Sequence, residues 1–269
     1  MTAVVAHADW SVAPAKRWCC IARLNRYGSQ YIVSAPQPCG NVADYFQRLS
    51  DLSPDGSVLA GFDFPLGLPI AYARQIAAHD FVTFLAELGR GRWSNFYELC
   101  AKAADINLHR PFYPARPGGT RHAQLCAGLG VDHIDALRRR CERKTSIRGA
   151  ASPLFWTLGG QQVGRAAISG WRDLLQPALA EPALDVRLWP FEGNLASLPA
   201  ARCIVVAETY PAESGLHLGL PATGRGWSKR KQSDRAAHAD LLLSRAKSRG
   251  VIICDELAWQ IHDGFGPDA

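Results

Sequence analysis

Short apolar runs, each closed by turn-forming residues, open the chain. Val4-Val-Ala-His-Ala-Asp9 reads as a strand, Arg17-Trp-Cys-Cys-Ile-Ala-Arg-Leu24 as a second and Ser29-Gln-Tyr-Ile-Val-Ser-Ala35 as a third. Asn25-Arg-Tyr-Gly28 supplies the hairpin turn between the last two. Asn41 is placed to cap a helix through about Ser50, whose Val42, Tyr45, Phe46 and Leu49 share one face. The buried-type run Ser57-Val-Leu-Ala-Gly-Phe-Asp63 then forms a fourth strand. A hairpin meander followed by a helical crossover can lay the fourth strand parallel against the first, because such crossovers are right-handed. Asp9 and Asp63 then become neighbours.

After Pro69 the pattern changes, and residues 70–200 read as a mainly helical and loop insertion between the fourth and fifth strands. It begins with a helix around Asp80 to Leu88, whose Phe81, Phe84, Leu85 and Leu88 share a face. A Pro/Gly-rich segment from His109 to Arg121 and a basic helical piece near Asp135 to Lys144 follow. Strand character returns at Arg202-Cys-Ile-Val-Val-Ala-Glu208. A helix is expected from about Ser228 to Arg249, then Val251-Ile-Ile-Cys254 and a short helical piece. The fold class is α/β: one domain over residues 1–269, with a mixed sheet whose first three strands are antiparallel and whose later ones are parallel.

Three strands in this reading finish on an acid: Asp9, Asp63 and Glu208. One such ending is usually a turn or cap residue, but three suggest a shared site. Hard oxygen ligands without a Cys/His cluster favour Mg²⁺ or Mn²⁺ over zinc, and such ions activate water and stabilise the leaving oxygen of a phosphodiester. Lys229, Arg230 and Lys231 fall in the first turn of the expected helix, where the helix dipole disfavours cations, so a phosphate is a candidate partner there. Arg116-Pro-Gly-Gly-Thr-Arg121 pairs two arginines, Arg116 and Arg121, with glycines that allow close backbone approach to an anion. A solvated basic turn and a merely fixed loop are the bland readings of these two segments. There is no G-x-S-x-G elbow, and no histidine stands in a nucleophile or metal motif.

Composition fits this picture. The 269 residues are 48% hydrophobic and 20% charged, enough for a substantial core. A net charge of +6 suits a polyanionic partner, nucleic acid or another phosphate-containing substrate. The eight cysteines show no C-x-x-C spacing and read as reduced, which points to the cytoplasm. No apolar stretch reaches membrane-spanning length, so no membrane is expected as a partner.

Ala8-Asp9-Trp-Ser11, Gly61-Phe-Asp63-Phe-Pro-Leu-Gly67, Phe112-Tyr-Pro-Ala-Arg-Pro-Gly-Gly-Thr-Arg121, Phe155-Trp-Thr-Leu-Gly159, Leu188-Trp-Pro-Phe191, Ala207-Glu-Thr-Tyr-Pro211 and Gly226-Trp-Ser-Lys-Arg230 together resemble a family of largely uncharacterised bacterial proteins described as predicted nucleases with a ribonuclease H fold. The resemblance covers most of the chain. It implies that the first, fourth and fifth strands carry Asp9, Asp63 and Glu208 as metal-binding, catalytic acids, as in the Holliday-resolvase-like branch of that superfamily. In the related pattern a helix with another acid follows Asp263-Gly-Phe-Gly266, where this sequence runs only to Ala269 and offers Asp263 or Asp268. The expected activity is metal-dependent phosphodiester hydrolysis. Its alternatives are a non-catalytic nucleic-acid-binding module and a Mg-nucleotide phosphotransferase or hydrolase.

Overall fold

An eight-stranded mixed sheet forms the centre of the computed structural model, which describes residues 2–25, 27, 29–114, 121–159, 162–222 and 227–266. Its strands are β1 (Thr2–Asp9), β2 (Trp18–Leu24), β3 (Tyr31–Val33), β4 (Gln37–Pro38), β5 (Ser57–Phe62), β6 (Asp185–Trp189), β7 (Cys203–Glu208) and β8 (Val251–Ile253). The spatial order is β6-β7-β5-β1-β2-β3-β8, with the two-residue β4 pairing on β2. β1, β2 and β3 are antiparallel neighbours, while β5 lies parallel to β1, β7 to β5, β6 to β7 and β8 to β3. The expected crossover is therefore present: helix α1 (Tyr45–Asp51) carries the chain from the hairpin strands to β5, beside β1.

Side-chain alternation sorts the sheet into two faces. Val4, Ala6 and Ala8 of β1, Val58, Ala60 and Phe62 of β5, and Ile204 and Val206 of β7 all point into the main core. Cys203 and Val205 point the other way, into a smaller cluster with Leu198. The main core is continuous with the 70–200 segment, since Phe81, Phe96, Phe112, Phe155 and Trp171 belong to the same cluster.

Several local readings meet a different backbone. Asn41 does not cap a helix; its side chain accepts from the Ala43 N–H in a turn, and the helix starts only at Tyr45. Its Tyr45, Phe46 and Leu49 are buried as the spacing requires. Asp80 does cap the helix at Phe81–Glu87, accepting from the Thr83 N–H at 2.7 Å. The basic piece near 135–144 is two single 3₁₀ turns, Ile134–Leu137 and Arg140–Glu142. The long helix expected over 228–249 is split into Gln232–Ala236 and Ala239–Ser248, because the His238 N–H bonds back only three residues to the Arg235 carbonyl. The strand β6 lies inside the 70–200 segment and joins the sheet.

A continuous helical stretch over residues 163–180, which the sequence reading did not anticipate, fixes the turn after β5. Its middle, Gly170–Leu175, is wound as a π-helix. A Cβ on Gly170 would lie 2.7 Å from the Phe64 ring, so only glycine lets the helix approach so closely. The next residue, Trp171, donates its indole N–H to the Pro65 carbonyl at 2.7 Å. No described helix is long and apolar enough to cross a membrane.

Candidate functional site

The carboxyl ends of β1, β5 and β7 lie side by side, which is where ligands bind in open α/β sheets. The β1–β5 register pairs Ala8 with Phe62, and one step further it sets Asp9 beside Asp63. The Asp9 carboxyl stands near enough to help raise the Asp63 pKa. Asp63 also accepts the Trp10 N–H on Oδ1 at 2.7 Å. Trp10 is itself fixed, donating its indole N–H to Ser169 Oγ at 2.9 Å, under the guanidinium of the buried Arg17. Burial is the largest influence on Asp63 and pushes its pKa up; the Trp10 N–H pulls it down, and Asp9 pushes it up again. The outcome is a carboxyl raised to about 7. Close carboxylates avoid repulsion only by sharing a proton or a cation.

Glu208 borders the same cleft as Asp63 but sits on the other face of the sheet. The β5–β7 register pairs it with Phe62, so it falls on the core-facing side of the sheet, whereas Thr209 comes level with Asp63. The Thr209 N–H donates to the Phe62 carbonyl at 2.7 Å, continuing the ladder. Glu208 is held by Arg139, which grips both carboxylate oxygens in a two-pronged pair, with Nη2 to Oε1 at 2.7 Å. It also accepts the Leu66 N–H at 2.8 Å. Arg139 is buried and at the same time bonds Glu142, whose Oε1 lies 2.9 Å from Nε, and the Leu66 carbonyl. Burial opposes the Arg139 charge, but the hydrogen bonds and charges of Glu208 and Glu142 outweigh it and hold its pKa above the ordinary value. Burial likewise raises Glu142. Among the described residues no group of three or more His, Cys, Asp or Glu side chains is arranged to hold a metal ion.

Two side chains that the sequence reading passed over stand on the same sheet face as the acid pair. His7 precedes Asp9 by two residues and so shares its face, and Thr209 lies level with Asp63. Both flank Gly61, where an added Cβ would come within 2.7 Å of Thr209 Cγ2 and 3.5 Å of His7 Cδ2. His7 Nε2 and Thr209 Oγ1 are buried without a described hydrogen-bond partner. Burial lowers the His7 pKa against the opposing pull of Asp9, so its imidazole is neutral at pH 7. The period-two placement of His7 before Asp9 was a signal available in the sequence.

The expected cationic positions are dispersed. Arg116 lies outside the described residues. Arg121 is exposed at the start of the helix His122–Gly128. Lys229, Arg230 and Lys231 are exposed, but they precede the helix that begins at Gln232, where Asp234 accepts the Ser228 N–H at 2.6 Å. Lys231 is the N-cap of that short helix, so the basic run stands just outside its first turn. Trp227 is packed, donating to the Pro221 carbonyl and meeting His238 edge-on.

A cleft of about 560 Å³ opens at the strand ends, lined by Asp63, Leu66, Arg139, Arg140, Phe191 and Tyr210 among others. Of its arginines, Arg139 is engaged with Glu208 and Glu142, and Arg148 with Glu213 at 2.7 Å. Arg140 is exposed, with no ion pair to a described residue. No protein-family model, no curated protein and no solved structure matches this chain.

Proposed function

We propose that the protein is a divalent-cation-dependent phosphodiester hydrolase acting on nucleic acid, built on a ribonuclease-H-like sheet. The observation that carries the reading is the Asp9–Asp63 pair at the ends of adjacent parallel strands. The antiparallel β1-β2-β3 meander followed by parallel β5 and β7 supports the fold assignment.

The donor set fits Mg²⁺ or Mn²⁺. Both side chains are hard oxygen donors, Asp9 is exposed, and Asp63 borders the cleft, so a hydrated cation can reach them. Mg²⁺ is commonly held by one or two carboxylates plus water and substrate phosphate, so two acids suffice for it. Bound there, the cation would supply Lewis-acid polarisation of a phosphoryl oxygen and activation of water. The chain's own residues provide the rest. The Trp10 N–H orients Asp63, Arg17 and Ser169 lock Trp10, and Arg140, without an ion pair to a described residue, offers its guanidinium to a phosphate. Glu208 serves this reading as a structural carboxylate that ties β7 to Arg139 rather than as a ligand.

Labelled DNA and RNA incubated with the protein in Mn²⁺ should be cleaved by the natural sequence and not by Asp63→Asn. Equal cleavage by both proteins would remove Asp63 from the chemistry and with it the assignment. A second reading, a nucleic-acid-binding module without catalysis, is favoured by the engagement of Glu208 with Arg139, which leaves only two acids at the strand ends. Salt-dependent binding without cleavage in either metal would select it.

A further inference from the structure

Resting on the phosphodiesterase reading, we infer that the cleft receives an unpaired nucleotide, so that the substrate is single-stranded nucleic acid or a strand locally opened, rather than intact duplex. The cleft beside Asp63 exposes mainly apolar surface with aromatic rings, set among ion-paired arginines and glutamates and Arg140, which has no ion pair to a described residue. Phe191 is 37% exposed, Tyr210 42% and Ile70 46%, although Phe and Ile are types that usually bury.

Neither ring is loose. Phe191 rests on Phe81, with centroids 4.8 Å apart. It also presses on Gly67, where an added Cβ would come within 2.6 Å of its Cζ; the φ of +90° at Gly67 equally demands glycine. Tyr210 carries the Arg148 guanidinium 5.1 Å from its ring centre, and Arg148 is fixed in turn by Glu213 at 2.7 Å. Rigid, partly exposed aromatics beside a cation are the composition of a base-stacking platform with a phosphate contact, and Arg140 is that cation.

The occupant follows from what such a surface can recognise. A base within a duplex is already stacked on both faces and presents only its edges, so it cannot lie on Phe191 or Tyr210. An unpaired base can. A cleft of about 560 Å³ lies within the roughly 300–1,000 Å³ range of small-ligand sites, which suits a nucleotide and not the body of a duplex. A backbone phosphate leading away from the stacked base meets Arg140 on the cleft wall, and the acid pair stands at the cleft's edge through Asp63.

The test measures binding and needs no turnover. Fluorescence anisotropy of a labelled single-stranded oligonucleotide and of the same sequence as duplex is recorded in Ca²⁺, with the full chain. The single strand should bind at least about tenfold tighter. Phe191→Ala and Tyr210→Ala should each weaken it by about five- to a hundredfold, the loss of one stacked base. Tyr210→Phe should bind as the natural protein, which separates lost stacking from lost folding, and unchanged circular dichroism guards the alanine variants. Equal affinity for both forms, or alanine variants that keep full affinity, would overturn the inference while leaving the hydrolytic reading to its own cleavage test. Strand-selective binding without cleavage would do the reverse, and binding to neither form would likewise overturn the inference.

Discussion

Asp63 sits where its charge is unwelcome: burial and the Asp9 carboxyl both favour its protonated form, against the backbone N–H groups of Trp10 and of Asp63 itself. The sign of the pH effect follows. A carboxyl raised from 3.8 to about 7 in the folded state takes up protons that the unfolded chain releases. The stability it lends is complete below the unfolded value and is lost as pH rises through 7. At pH 8 Asp63→Asn should therefore be more stable than the natural protein, by about 2 kcal/mol after allowing for partial solvation, with the difference vanishing near pH 4. Urea denaturation of both proteins across that range measures it. A variant that is less stable at pH 8 would show that Asp63 is not strained by its neighbour.

At the scale of elements, Arg139 joins three parts of the chain that are distant in sequence: the turn after β5 through Leu66, the end of β7 through Glu208, and its own 3₁₀ turn through Glu142. Replacing it by Met would leave two carboxylates without their cation. Such removal of one partner from a buried ionic cluster costs about 3–5 kcal/mol, against about 0–1 for a surface pair. Denaturant midpoints of Arg139→Met should fall accordingly, and a loss under 1 kcal/mol would refute the clamp. This clamp was not legible in the sequence, because Arg139 lies 69 residues from Glu208 within a run of other arginines. Asp9 and Asp63 were legible as a pair, since strand periodicity and crossover handedness suffice to align β1 and β5. Glu208 was legible as a strand end but not as a residue of the opposite face, because the side a residue takes depends on register. The helix over residues 163–180 stayed hidden for a related reason: glycines at 164 and 170 weaken its helical signal, and their value lies in contacts with Phe112 and Phe64.

For the whole molecule, the core does not respect the division between sheet and inserted segment. Phe62 meets Trp10 at 5.6 Å and Phe64 at 4.9 Å, while Trp171 meets Phe81 at 5.1 Å and stacks 6.3 Å from Phe96. Residues from β1, β5, β7 and the 70–200 segment thus form one apolar cluster. The segment should not melt on its own. Unfolding followed by far-ultraviolet circular dichroism and by tryptophan fluorescence should give coincident transitions, and separated midpoints would show the segment to be an independent unit.

At the end of β7 the carboxylate of Glu208 is followed by the hydroxyl of Thr209, which extends the ladder, and consecutive positions of a strand point to opposite sides. Thr209 is thus the place from which a third acid would face Asp9 and Asp63. Thr209→Asp, close in size to the natural residue, should convert a two-acid site into a three-acid one. Calorimetric titration with Mn²⁺ should show tighter binding than in the natural protein, together with a lower melting temperature when the ion is chelated. An unchanged affinity would mean that residue 209 does not address the acids. Moving a carboxyl along the chain by a single residue would carry it through the sheet, from the grip of Arg139 to the company of the Asp9–Asp63 pair.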